Sequence, residues 1–380
     1  MLKATAASLL GLSAPRVVSA AADDSPPDVV LVILDALRAA SLPLHGSSRD
    51  TAPFLESLAR ESTVFKYCYS TALWTRPAVT GLLSGLLPIE HGQWRFGKRL
   101  PAEMETFPRV LSRRGYRTGF FTANSAVGEK FGLEDHFDHV SDRAAVERDP
   151  GSWLTRECES WAGAQDDSAP LFVWAHSLPP HGPCDPPTRY LDEMLAQGLP
   201  DVDYLPHHFR DVDVSFQSAV FGRIPWYQAK VSFSSDPRHY LLRYEANVRY
   251  ADALARDLFA RWRALGRGRR TIFVVTSDHG ECVGEHGLFF AHGRLLHDSI
   301  LRVPLIVHDT ADPGGRIVEE AVSHLDLTAS LLDWAGAPER LGSGSPLREA
   351  PRQAALPVLG LDFAAAGESG WALTRGRLRL

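Results

Sequence analysis

Residues 28–35 read DVVLVILD, a run of aliphatic, mostly β-branched side chains closed by Asp35. A strand with one wet face alternates polar and apolar residues. A run with no polar interruption is expected to be buried on both faces of a parallel sheet. Four later stretches are of the same type: YRTGFFTA (116–123), PLFVWAHS (170–177), TIFVVTSDHG (271–280) and VPLIVHD (303–309). Between them, APFLESLARES (52–62), TFPRVLSRRG (106–115) and HYLLRYEANVRYADALARDLFARWRALG (239–266) read as helices, the last two closing on Gly115 and Gly266. In the longest, Tyr244, Val248, Ala251, Leu254 and Leu258 recur at three-to-four spacing and form one apolar face. Strands alternating with helices predict an α/β fold with a mostly parallel central sheet and helices on both faces.

The bulk composition narrows the function. The chain has 380 residues, 44% of them hydrophobic, enough for a large core. Its formal net charge is -6 and its Lys and Arg are scattered, so no basic footprint for nucleic acid is present. No apolar run reaches the roughly eighteen residues that a transmembrane helix needs. Cys68, Cys158, Cys184 and Cys282 are widely spaced; they match no zinc pattern, and their pairing stays open. The first 26 residues, MLKATAASLLGLSAPRVVSAAADDSP, hold one early Lys, a short Ala/Leu segment and small residues suited to signal peptidase. They are read as a signal-like leader for export to the periplasm or exterior. An Ala-rich leader on a cytoplasmic protein is the alternative. Residues 185–240, rich in Pro, Tyr, Phe and Asp, show no clean period and are expected to form a lid or specificity loop at the sheet edge.

Open α/β sheets place their chemistry beyond the strand C-termini. There stand Asp35, His176, Asp278 and His279. Asp35 alone also suits an N-cap. Adjacent Asp278 and His279 before Gly280 give two metal-competent side chains on one turn. In ALWTRPAVTGLLSG (72–85), a helix starting at Arg76 or Pro77 puts Thr75 at or next to its N-cap. A threonine there is either a plain cap or a nucleophile held where helix amides and a metal would receive an oxyanion.

Order and context join these residues. The stretch from Pro27 to Gly92, the segment LFVWAHSLPPHGPCDPP (171–187) and TIFVVTSDHGECVGEHGLFFAHGRLLHDSILRVPLIV (271–307) resemble three blocks of the sulfatase branch of the alkaline phosphatase superfamily, in the family's order. Behind the leader at 1–26, the resemblance implies a catalytic α/β domain at 27–340 and a partial C-terminal subdomain at 341–380, where GWALTRGRLRL looks like the first strand of the family's small C-terminal sheet. It implies that Asp35, Asp278, His279 and Thr75 bind one divalent metal and that Thr75 is the nucleophile. His181 and His292 would hold substrate oxygens or serve the leaving group, and His176 and Arg76 would contact substrate. Oxygen and imidazole ligands suit Zn or Mn better than Ca or Mg.

The departures are equally specific. Sulfatases place a Cys or Ser, converted to formylglycine, in a Cys-x-Pro-x-Arg pattern. This chain has Thr75, Arg76, Pro77, Ala78 and Val79, lacking both the convertible residue and the Arg. Ala36 stands where a second acidic ligand is often found. What remains resembles the single-metal, Thr-nucleophile members of the superfamily. The expected activity is hydrolysis or transfer of a phosphate mono- or diester, on a small-molecule or glycan- or lipid-linked substrate. A sulfuric ester hydrolase and a catalytically degenerate binding protein are the alternatives; metal content separates the last from the other two. His324 and Asp326 are candidates for a second metal, with helix capping the plainer role for Asp326, and Cys282 is a candidate thiolate ligand.

Overall fold

The computed structural model describes residues 25–93, 97–142, 149–205, 214–215, 221–294 and 296–349, and short strands at 356–358, 372–375 and 378–379. The leader and most of the C-terminal segment lie outside these residues. Eight strands form the central sheet: β1 (Asp28–Leu34), β2 (Thr63–Tyr69), β3 (Arg117–Thr122), β4 (His139–Ser141), β5 (Leu171–Ser177), β6 (Thr271–Thr276), β7 (Arg302–Asp309) and β8 (Arg316–Ser323). Their order is β8-β2-β7-β6-β1-β5-β3-β4. Every pairing is parallel except those of β7, which runs antiparallel to β2 and β6. The run at 303–309 is thus a buried strand as read, but of opposite direction.

β1 shows why an unbroken apolar run suits the centre. Val30, Val32 and Leu34 enter one core, and Val29, Leu31 and Ile33 enter the other. The first core is closed by helices α1 (Pro53–Ala59), α4 (Pro150–Gly163) and α6 (Pro237–Ala264), through Leu55, Trp153, Tyr244 and Val248. The second is closed by α2 (Thr75–Ser84), α3 (Phe107–Arg113) and α7 (His324–Trp334), through Val79, Phe107 and Leu331. The predicted face of α6 is buried along its length, from Tyr244 to Leu258.

Within 185–240 the structure has more order than a plain loop. Helix α5 (Thr188–Leu195) buries Tyr190 and Met194 against α6, and a short helix, Trp226–Val231, packs beside the His181 loop, where the Cys184 amide donates to Gln228 Oε1 at 2.9 Å. Residues 345–347 are tied to α7: the Ser345 amide donates to Asp326 Oδ1 at 2.9 Å and the Leu347 amide to Ser330 Oγ at 2.7 Å. We propose that the partial C-terminal subdomain at 341–380 begins on this stretch. All four cysteines are free and buried.

Candidate active site

Sheet register brings the polar strand ends level. Thr276 of β6, Ile33 of β1, His176 of β5 and Thr122 of β3 form one row across the sheet. Asp278, Asp35 and Asn124 each stand two residues beyond their member of that row, at the same edge. The turn after β6 depends on Gly280, whose Cα lies so close to the Ser299 carbonyl that any Cβ would clash with backbone. Its amide donates to Ile300 O at 2.6 Å.

The candidate ligand atoms of Asp35, Asp278 and His279 lie within 4.8 Å of one another, and all three residues are buried. Nδ1 of His279 is 2.8 Å from the Gly280 carbonyl, which only accepts, so Nδ1 carries the proton and the neutral ring has its lone pair on Nε2. Burial pushes this imidazole toward the neutral form, against the pull of Asp278 and Asp35. Nε2 is 3.4 Å from Asp278 Oδ2, 3.7 Å from Asp35 Oδ1 and 3.4 Å from Thr75 Oγ1.

Each carboxylate has one committed oxygen and one free one. Asp35 Oδ2 accepts from Asn124 Nδ2 at 2.5 Å and meets His176 Nε2 at 3.1 Å. Asp278 Oδ1 accepts from the amides of His279 at 2.9 Å and Ala36 at 3.2 Å. Asp35 Oδ1 and Asp278 Oδ2 are buried with no hydrogen-bond donor among the described residues. Burial would raise the Asp35 carboxyl, but His181, His176 and His279 outweigh it and hold it below the usual carboxylate range. Two donor-less buried oxygens facing an imidazole lone pair fit a divalent cation, with partners behind them of the kind that orient metal ligands. No second group of three such side chains at metal spacing occurs among the described residues.

Thr75 is the first residue of α2, with Trp74 at the N-cap, so the helix starts one residue earlier than the sequence suggests. Its side chain caps nothing. It is 4% exposed and turned toward His279, so the plain-cap reading does not account for it.

His181 and His292 complete the group, their rings 4.9 Å apart, with His292 4.3 Å from His279. His181 Nδ1 is 2.5 Å from the Gly182 carbonyl, leaving Nε2 for the site. His292 Nδ1 meets the buried carboxyl of Glu281 at 3.2 Å. Burial pushes Glu281 up to about 8 and, with the charge of His181, pushes His292 down to about 3.

Several expectations need correction. His176 is fully buried behind Asp35, which places it to orient that carboxylate and not to touch substrate. Arg76 donates from Nε to Ala126 O at 2.8 Å, and its guanidinium lies 5.1 Å over the Phe131 ring, both in the loop after β3. Burial pushes the Cys282 thiol up to about 12, and its Sγ lies 3.1 Å from Glu285 O, away from a ligand role. Asp326 Oδ2 closes a capping box with Ser323 at the start of α7, and His324 belongs to no metal-spaced group among the described residues. The sequence reading missed Asn124 and Glu281. Asn124 stands at a strand end, where the crevice rule points, and Glu281 follows the Asp-His-Gly turn directly.

With this geometry in place, comparison with known proteins is informative. The family model described as Sulfatase matches residues 27–337. An arylsulfatase of Clostridium perfringens is 21% identical over 372 residues, covering 81% of this chain and 75% of that protein. Among solved structures, a phosphonate monoester hydrolase of Agrobacterium radiobacter superposes with a TM-score of 0.74 at 19% identity, covering 93% of this chain and 86% of the other. A structure determined in complex with D-glucosamine-2-N,6-O-disulfate has a TM-score of 0.72 at 18% identity, covering 94% and 88%. These structural likenesses establish the fold.

Proposed function

The chain belongs to the sulfatase family, and from that premise we propose that it is a metal-dependent hydrolase or transferase of phosphate mono- or diesters with Thr75 as its nucleophile. The observation that carries this reading is the Thr75 hydroxyl, buried at the head of α2 and 3.4 Å from the lone pair of His279 that also faces the two donor-less carboxylate oxygens. Asp35, Asp278, His279 and Thr75 would hold one divalent ion, Zn or Mn before Ca or Mg for this mixed oxygen and nitrogen set. Bound there, such an ion lowers the hydroxyl pKa and offsets charge building on the reacting oxygens.

The remaining work falls to the chain. Thr75 Oγ1, its proton released to solvent, bonds to phosphorus in line with the departing ester oxygen, and that P–O bond breaks. Burial alone would lower the His181 imidazole, but Asp35, Glu281 and Asp278 outweigh it and raise it above its ordinary value. With Nδ1 committed to Gly182, Nε2 is the nitrogen that would pass a proton to the leaving alkoxide. Water, or an acceptor alcohol in the transferase case, then returns a proton to His181 Nε2 as it displaces Thr75 from phosphorus, and the freed Thr75 oxygen takes up a proton from solvent. The substrate class is a small-molecule or glycan- or lipid-linked ester, met outside the cytoplasm if residues 1–26 direct export.

A sulfuric ester is the second reading, favoured by the arylsulfatase relative. It ranks lower because a sulfated threonine lacks the elimination route open to a formylglycine hydrate. A panel of aryl phosphate, aryl phosphodiester and aryl sulfate with added Zn or Mn tests the choice. Phosphoester turnover should lead, Thr75→Ala should abolish it, and intact mass after brief incubation should show a phosphoryl adduct on the Thr75 peptide. Wild-type phosphoesterase activity in Thr75→Ala, or aryl sulfate cleaved far faster than aryl phosphate, overturns the phospho-threonine mechanism.

A further inference from the structure

The turn after β1 is strained where the metal reading needs it to be rigid. Ala36 has φ 61°, in the left-handed region that a residue with a Cβ rarely occupies. Such outliers persist only where neighbouring structure over-determines them, and they gather at functional sites. Here four successive amides each meet an acceptor from beyond the turn, and the Leu37 amide is shared with Leu34 O at 3.2 Å. Asp35 N donates to Ser177 O at 3.0 Å, Ala36 N to Asp278 Oδ1 at 3.2 Å, Leu37 N to Ser277 Oγ at 2.9 Å and Arg38 N to Tyr244 Oη at 3.3 Å. Three of those acceptors belong to the ends of β5 and β6. Tyr244 comes from another layer, the long helix α6, and its hydroxyl also donates to Ala36 O at 2.9 Å.

We propose that Tyr244 is a positioning residue for the metal centre: its fully buried hydroxyl, bridging Ala36 O and Arg38 N, holds the left-handed Ala36 turn that joins Asp35 to Asp278. The Ala36 amide is what links the two carboxylates, because it follows Asp35 in the chain and donates to the committed oxygen of Asp278. Were the turn to relax, that donor would swing away and both free oxygens would lose their common aim. This inference rests on the metal reading above and adds to it a residue outside the group of three candidate ligands.

The test is a double-mutant cycle read as Zn2+ affinity by competition with a chelating dye, with no substrate present. Tyr244→Phe keeps the ring and removes both hydrogen bonds, and it should weaken Zn2+ binding about tenfold or more, the usual effect of losing a group that orients a ligand. Ala36→Gly should bind within about threefold of wild type, because glycine holds φ 61° without cost. In the Ala36→Gly background Tyr244→Phe should cost less than about threefold, a coupling between the two positions that a purely structural tyrosine would not produce. Unchanged affinity in Tyr244→Phe overturns the role of Tyr244 and leaves the metal site standing. A loss that Ala36→Gly does not rescue overturns it as well. If Tyr244→Phe does not fold, the double variant decides: folding with near wild-type affinity supports the proposal, and failure to fold shows that the hydroxyl serves folding and overturns it. Absence of binding of Zn2+, Mn2+, Ca2+ and Mg2+ alike by the wild type overturns the metal reading and this inference together.

Discussion

What the free ring nitrogen faces separates the three histidines of the site. All three spend Nδ1 on the protein: His279 on Gly280 O, His181 on Gly182 O and His292 on Glu281. Only the free Nε2 of His279 points at two carboxylate oxygens without donors. His181→Ala and His292→Ala should therefore keep the metal and the fold while losing roughly 10²–10³ in turnover, the size of one lost transition-state contact. Asp278→Ala should lose metal and activity together. Elemental analysis beside turnover separates the cases, and a metal-free His181→Ala or His292→Ala would make that residue a ligand or a core histidine. Asp278 and His279 were legible in the sequence because two metal-competent residues at a strand end are rarely idle. Asn124 was not, because an asparagine after a strand reads first as a turn former, and only the register of β1 and β3 through β5 shows that it ends level with Asp35.

Elements were legible in proportion to the sharpness of their burial pattern. β1, β3, β5 and β6 stand where their apolar runs are, and so does the apolar face of α6. The reversal of β7 could not be read, because a strand buried on both faces has the same composition in either direction. β2 and β8 escaped notice because they lie toward the sheet edge, where Lys66 in one and Glu319 and Glu320 in the other interrupt the pattern. The polar residues buried in α6 carry a prediction of their own. Glu245 lies in an ion pair with Arg49, Nε to Oε2 at 2.6 Å, and Arg49 also donates to Met194 O of α5 at 2.9 Å. Burial, only partly offset by Arg49, pushes the Glu245 carboxyl up to about 7. An acid whose pKa rises on folding holds its proton in the native state over a range where the unfolded chain has lost it. Its stabilising contribution is full below the unfolded value and disappears as pH climbs through about 7. Wild-type unfolding free energy should thus fall between about pH 4.5 and 7 relative to Glu245→Gln, by up to about 3 kcal/mol for a shift of this size. Denaturant titrations of both proteins across that range check it, and parallel pH profiles would remove Glu245 as the cause.

For the whole molecule, the candidate site is a cost that a bound ion turns into a gain. Asp35 and Asp278 close two neighbouring central strands, and each leaves a buried oxygen with no donor. A buried acceptor of this kind costs about 1–3 kcal/mol, and more when charged. Asp278→Asn keeps Oδ1 as an acceptor for the Ala36 and His279 amides and replaces the donor-less oxygen with an NH2 group facing the same space. With metal removed by chelator, Asp278→Asn should melt above wild type, since one of two facing charges is gone and its orphan acceptor with it. With Zn2+ added, the order should reverse. An ion that binds only the folded state at a hundredfold excess over its Kd stabilises by about 2.7 kcal/mol, several degrees in Tm for a domain of this size. Wild type should gain that increment and Asp278→Asn should not. The measurement is differential scanning calorimetry of both proteins in chelator and in Zn2+, with bound metal counted in parallel at an expected one ion per chain. Wild type that melts at the same temperature in both conditions, or two equivalents that survive dialysis, would show that the paired carboxylates do not form the single metal centre proposed for them.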